Sequence, residues 1–461
     1  HHCRSCGIVV CGKHSDHKIE VPGLSEFGIV ERVCDTCFEL HSSGAKHNVR
    51  RYLLLLEHEK DMKPNMKGFL FQGIAETLES YAQDVEMYKE SSSAGHVQVT
   101  DDQRSAVAPT RMIDTLSQTL ASSKKGFEHI CDLVTEASGQ DANVQVDMYR
   151  CLAASIDAYS NESAHGENDV VTALLNGTLE HLGSAMQEGR VSDRALPYIL
   201  KPFKDFGRAP MVQQTAREKN VLGKISDLLM SNDEQVQELA VVAMAELQHD
   251  CTPNKQAFLD KGAIFMLCSI VQSRNATIQL HATTAMALAV ECKNVNDLSI
   301  AEAAKEGITA SNGPASLKPL LESSSQVVQA NATKILLALS GSPNLVPSLV
   351  SAGVVEPAVR LLTRPNVPMN IMEMTAQMIC NVAVTNKSIR AIVHRAGGLN
   401  IAVKMLQSQQ SDIRRQAVAL IDIFAGDAEA QVILRDANAV RATLECLATM
   451  SRSEVAYGTE G

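Results

Sequence analysis

Apolar and small residues recur along the chain at helical spacing. In VQELAVVAMAEL they fall at Val236, Ala240, Ala243, Met244 and Leu247. Offsets of 4, 7, 8 and 11 from the first residue trace one face of an α-helix. The same offsets hold for Ile278, Ala282, Ala285, Met286 and Ala289, and for Val328, Ala332, Ile335, Leu336 and Leu339. They return at Ile371, Thr375, Met378, Ile379 and Val382, and at Ile413, Ala417, Leu420, Ile421 and Phe424. Upstream, Val144, Met148, Cys151, Leu152 and Ser155 fit, and Val191 with Ala195, Tyr198 and Ile199 fits loosely. The first residues of these sets, 144, 191, 236, 278, 328, 371 and 413, are spaced by 47, 45, 42, 50, 43 and 42 residues. A period in the forties, with Ala where helices must approach closely, predicts an α-solenoid. Gly262, Gly353 and Gly397 each precede a short apolar segment, where a glycine lets the chain turn sharply between helices.

The pattern of short helix, Gly turn, second helix and long third helix resembles the armadillo repeat, over most of residues 110 to 450. The resemblance implies an extended concave surface that grips a peptide or a helix of a protein partner. Nuclear-import adaptors of this kind read basic peptides with a ladder of Trp and Asn. Here the ladder positions hold Ala154, Lys201, Glu246, Leu288, Ala338, Asn381 and Ile423, and the chain has no Trp. That role is therefore not expected. The partner in the groove stays unidentified.

The first 37 residues differ in character. They hold five of the 12 cysteines, in the series Cys3-x2-Cys6, Cys11-x2-His14 and Cys34-x2-Cys37. A C-x2-C pair puts two thiolates on one tight turn, and two pairs close a tetrahedral zinc site. Two full sites need eight ligands and this stretch shows six, so a further pair is expected upstream of His1. The other seven cysteines are scattered singly among helical patterns and read as small buried hydrophobes.

HHCRSCG, CGKHS and RVCDTC together resemble the FYVE zinc finger. The resemblance implies cross-braced pairing, with Cys3, Cys6, Cys34 and Cys37 on one complete zinc ion. Cys11 and His14 then form half of the second of two ions, His14 standing where the family has Cys and His17 being the alternative ligand. It also implies recognition of phosphatidylinositol 3-phosphate, with His1, His2, Arg4 and Arg32 holding the headgroup. Such donors form charge-assisted hydrogen bonds to phosphate oxygens.

The expected fold is mostly α: a small N-terminal cross-braced zinc finger and an α-solenoid of armadillo-like repeats. The finger takes residues 1–40, a helical connector 41–92, a Ser-, Gly- and Asp-containing linker 93–110, the solenoid 111–450 and a tail 451–461. A formal net charge of −11 argues against nucleic acid as a partner. No apolar run approaches the roughly 18 residues of a membrane span. No P-loop, dinucleotide fingerprint, G-x-S-x-G or HEXXH pattern occurs, so an enzyme is not expected. The expected role is a cytoplasmic adaptor, peripheral on endosomal membranes. Two alternatives are a protein-interaction scaffold whose finger is a structural zinc clip without lipid binding, and a ubiquitin-ligase component.

Overall fold

The structure is a computed structural model of the chain. It describes residues 191–446 except Pro365, two short strands near the N-terminus, several helical positions between Val146 and Met186, and Ala448. The connector, the linker, the tail and most of the solenoid before residue 191 lie outside the described residues. The chain divides into two units, residues 1–224 and 225–461.

In the first unit, β1 (His17–Ile19) and β2 (Glu31–Val33) pair antiparallel, with His17 opposite Val33, Lys18 opposite Arg32 and Ile19 opposite Glu31. Helices α1 (Leu196–Asp205) and α2 (Pro210–Glu218) follow, and α3 (Val221–Leu228) runs across the boundary. Leu179, Leu182, Ile199 and Phe203 are fully buried. Proline stands in the first turn of α1 and of α2, where its missing N–H has no helical partner to lose.

The second unit is built of helix triplets. After the long α4 (Glu234–Gln248) come α5 (Thr252–Asp260), α6 (Ala263–Ile270) and the long α7 (Ala276–Ala289). Next are α8 (Leu298–Ala310), α9 (Gly313–Leu317), continued by a 3-10 turn at Lys318–Glu322, and the long α10 (Gln326–Ser340). Helices α11 (Val346–Ser351), α12 (Val355–Thr363) and α13 (Met369–Thr385) form a third triplet, and α14 (Ile389–Arg395), α15 (Gly398–Met405) and α16 (Ser411–Ala425) a fourth. Helix α17 (Ala428–Asp436) and a helical segment at 439–446 follow. Each long helix packs on the next, from α4 through α7, α10 and α13 to α16.

The periodic apolar positions form the seams between these helices. All the positions named above on α4, α7, α10 and α13 are buried, as are Ile413, Ala417, Leu420 and Phe424 on α16. Ile421 is half-exposed, because α16 has a long-helix neighbour on one side only among the described residues.

Three local devices recur with the repeat. The first is a left-handed residue at the junction of the two short helices. Gly262, Gly353 and Gly397 have φ of 72°, 69° and 81°, and Asn220, Asn312 and Asn438 have φ of 53°, 55° and 55° at the matching places. Asn is the side chain that best tolerates this conformation after glycine. Each of the six donates its N–H to a carbonyl three residues back, which ends the first short helix.

The second device caps the long helices. The Asp233 carboxylate accepts from the amides of Gln235 and Val236 at 2.9 and 3.3 Å. Asn275 does the same for Thr277 and Ile278 at 2.9 and 3.1 Å. Ser325 Oγ accepts from Val328 at 3.4 Å. Two residues before each cap, Ser231, Ser273 and Ser323 accept the cap residue's own amide, and Ser408 does so for Gln410. Capping side chains satisfy amides that the helix cannot.

The third device follows the first apolar residue of the long helix. Gln237 Nε2 donates to the Leu229 carbonyl at 2.7 Å, Gln279 to Ser273 at 3.5 Å and Gln329 to Leu321 at 2.8 Å. Arg414 takes the place in the fourth triplet and donates to Ser408 at 2.8 Å. Each bond ties the long helix to the turn that delivers it.

Candidate headgroup site, metal centre and repeat surface

The residues expected to hold zinc (Cys3, Cys6, Cys11, His14, Cys34 and Cys37) lie outside the described residues, as do His1, His2 and Arg4. The described part of the finger is the β1–β2 ribbon, which carries Arg32 and the alternative ligand His17. β2 ends at Val33, immediately before the Cys34 pair, and β1 begins three residues after His14. Thiolates and an imidazole are the donor set of structural zinc, so the residue types fit the ion. The described residues contain no cluster of three or more His, Cys, Asp or Glu that could hold a metal.

In the ribbon the side of each residue follows from the register. Successive strand residues alternate between faces, and directly opposed residues share one. Lys18 and Arg32 therefore occupy one face. His17, Ile19, Glu31 and Val33 occupy the other.

The long helices of the second unit carry the candidate protein-binding surface. Asn381, at the ladder position, is engaged within the protein. Its Nδ2 donates to Ser340 Oγ on the preceding long helix at 3.0 Å, and its Oδ1 accepts from Gln377 at 2.9 Å. Asn331 likewise donates to Thr284 Oγ1 across to α7 at 3.0 Å. These amides staple neighbouring repeats. Leu288 at the matching place is buried. The Asn381 amide is thus engaged between α10 and α13.

Charges also cross between repeats. Glu291 receives Lys334 at 2.8 Å and Lys293 at 3.7 Å, and Lys293 reaches Asp250 at 2.5 Å. Burial pushes the Glu291 carboxyl up, but the Lys334 hydrogen bond and the charges of Lys334, Lys293 and Lys255 outweigh it and hold it below its ordinary value. The Asp250 carboxyl is lowered chiefly by the hydrogen bond from Lys293. Cys268 and Cys380 are buried thiols pushed up to about 12 by desolvation, so they are packing residues rather than nucleophiles. A cavity of about 320 Å³ lies against α11, α12 and α14, lined by Val350, Val355, Ile389 and Ile392 with Glu356 and Arg395. No helix among the described residues is long and apolar enough to cross a membrane.

Residues 1–43 match the FYVE zinc finger family. Vacuolar protein sorting-associated protein 27 of Eremothecium gossypii is 47% identical over 53 residues, which cover 11% of this chain and 8% of that protein. Its counterpart in Saccharomyces cerevisiae is 56% identical over 39 residues, covering 8% and 6%. Pleckstrin homology domain-containing family F member 2 of Gallus gallus is 46% identical over 44 residues, covering 10% and 17%. The chain thus matches less than a fifth of the length of these curated relatives. Among solved structures, an engineered protein aligns with 82% of this chain and 99% of its own, at TM-score 0.49 and 19% identity. A designed armadillo repeat protein aligns with 53% of this chain and 99% of its own, at TM-score 0.45 and 19% identity. The FYVE match thus lies in residues 1–43, and the described residues from Glu234 onward form repeating helix triplets.

Proposed function

We propose that this chain is a zinc-dependent adaptor that recognises phosphatidylinositol 3-phosphate on endosomal membranes and presents its helical repeats to a protein partner. The observation that carries the reading is the FYVE match over residues 1–43, which includes HHCR and RVC. In this reading Cys3, Cys6, Cys34 and Cys37 hold one zinc ion, and Cys11 and His14 contribute to a second. When bound, zinc supplies no chemistry beyond fixing the loops. His1, His2, Arg4 and Arg32 donate hydrogen bonds to the phosphate, Arg32 from strand β2. Such bonds are about twice as strong as neutral ones, and the planar guanidinium matches phosphate geometry. The relatives named vacuolar protein sorting-associated support a role in membrane traffic. The adaptor has no catalytic step of its own. It sits peripherally on the cytoplasmic face, and a modest headgroup affinity is multiplied if two weak membrane signals act together.

The test is co-sedimentation of the full chain with phosphatidylcholine vesicles containing phosphatidylinositol 3-phosphate or unphosphorylated phosphatidylinositol. Selective binding that disappears in Arg4→Ala is the expected result. Zinc-loaded protein with no preference between the two lipids would make the finger a structural clip and the chain a scaffold.

A further inference from the structure

We propose that the slot between α11, α12 and α14 docks a segment of a protein partner that sets an apolar side chain beside a carboxylate, the carboxylate being held by Arg395. The inference deepens the partner half of the reading above and does not use its lipid half. The cavity measures about 320 Å³, at the low end for ligand pockets. The buried Val355 and Ile389 and the half-exposed Val350 and Ile392 give it an apolar lining, and Glu356 and Arg395 stand exposed beside them. An apolar centre with a charged rim is the anatomy of a protein-contact patch. No residue of the long helices lines the slot.

The two charges are not equivalent. Glu356 is already paired with Arg360 at 2.7 Å. Arg395 donates from Nε to the Ala391 carbonyl of its own helix at 3.3 Å, and no carboxylate among the described residues pairs with it. The repeat does not ask for a cation there. Two residues before the left-handed junction, the other five junctions have Glu218, Asp260, Ala310, Ser351 and Asp436. In a chain of formal net charge −11, the slot therefore offers an uncompensated guanidinium beside an apolar surface. The guanidinium can grip a carboxylate with two N–H groups, and arginines beside apolar pockets are enriched among the residues that dominate binding at interfaces. The backbone is open at Gly353, which lines the slot and where an added Cβ would meet nothing within 4 Å. That opening gives a peptide main chain room to pass.

The experiment follows the Ile, Leu and Val methyl groups of the full chain by NMR during titration with the blocked peptide acetyl-Gly-Leu-Glu-Gly-amide. The methyl signals of Val350, Val355, Ile389 and Ile392 are expected to shift and saturate. Acetyl-Gly-Leu-Gln-Gly-amide is expected to bind about fivefold more weakly, the upper range for one exposed ion pair. Arg395→Gln should cause the same loss for the Leu-Glu peptide and none for the Leu-Gln peptide, and Arg395→Lys should recover part of it. Ile392→Gln is the second variant, and it should weaken both peptides. Absence of shifts at the four residues, or equal affinity for the two peptides, would overturn the site. Octanoate binding more tightly than the Leu-Glu peptide would make the slot a site for alkyl carboxylates and overturn the peptide assignment. Selective vesicle binding with no shift at the slot would remove this site and leave the lipid reading standing. Shifts at the slot without lipid selectivity would do the reverse.

Discussion

Thr252, in the first turn of α5, donates its hydroxyl to the buried carboxylate of Asp297, just before α8, at 2.5 Å. The same carboxylate accepts the Lys293 amide at 3.1 Å. A residue that closes one triplet's first helix against the turn leading into the next has no solvent to replace its bonds. Asp297→Ala should destabilise the repeat unit by about 1–3 kcal/mol, the cost of leaving buried donors unsatisfied. Urea unfolding followed by helical circular dichroism measures it, and an unchanged midpoint would show that water reaches the site.

The acid limb of stability follows from the same carboxylates. Burial pushes Asp297 up, but the Thr252 hydroxyl, the Lys293 amide and the Lys255 charge outweigh it and hold its pKa below the ordinary 3.8. Glu291 is likewise held below the ordinary 4.5. A depressed folded pKa means that the unfolded chain binds more protons on acidification, so stability rises with pH there. Both contributions are fully present above the ordinary values and are lost as pH falls through the folded ones. Melting temperature should therefore drop below about pH 4.5, and the Asp297→Asn, Glu291→Gln double variant should drop less steeply from a lower starting point.

The helix junctions separate two kinds of glycine. Gly353 has φ of 69°, and a Cβ added there would meet nothing within 4 Å, so Gly353→Ala brings only backbone strain, about 1–2 kcal/mol. At Gly398 an added Cβ would lie 2.6 Å from Val393 Cγ1, so Gly398→Ala should cost about 1–3 kcal/mol through overpacking. Combining Gly398→Ala with Val393→Ala should recover part of the loss, whereas Val393→Ala should recover nothing for Gly353→Ala. Asn312→Gly should be close to neutral in thermal melts, since both residues accept the left-handed geometry.

Gln329 is buried and its amide serves the Leu321 carbonyl on the turn before α10. Gln329→Leu keeps the volume and strands that carbonyl, for an expected loss of about 1–3 kcal/mol. Gln279, whose bond is 3.5 Å and only partly buried, should cost less under the same substitution. Equal losses in the two variants would point to helix propensity rather than the bond.

Zinc removal should act on one part of the chain only. Chelation, or Cys34→Ser, is expected to release zinc and abolish selective lipid binding, because structural zinc sites supply the folding energy of small fingers. Helical signal and melting of the repeats should be unchanged. A drop in repeat stability on chelation would mean that the finger and the repeats fold as one unit.

The sequence alone determined the repeat. A period in the forties and the offsets of 4, 7, 8 and 11 located the buried seams of α4, α7, α10 and α13, because helix geometry fixes which residues share a face. It also displayed the finger's ligand spacing, which is local. The glycine junctions were legible for the same reason. Their Asn equivalents at 220, 312 and 438 were not, since Asn serves many roles and only the backbone shows which one it takes. The Ser-x-cap pairs and the Gln after each leading apolar residue also repeat along the chain, yet their meaning depends on carbonyls up to eight residues away. Tertiary structure decided that Asn381 is spent on Ser340 rather than on a ligand. It also decided that Lys18 stands opposite Arg32 in the backbone register. Eleven residues separate Ile19 from Glu31, and a connection of that length does not fix a register: a slip of one residue would have sent the lysine to the other face.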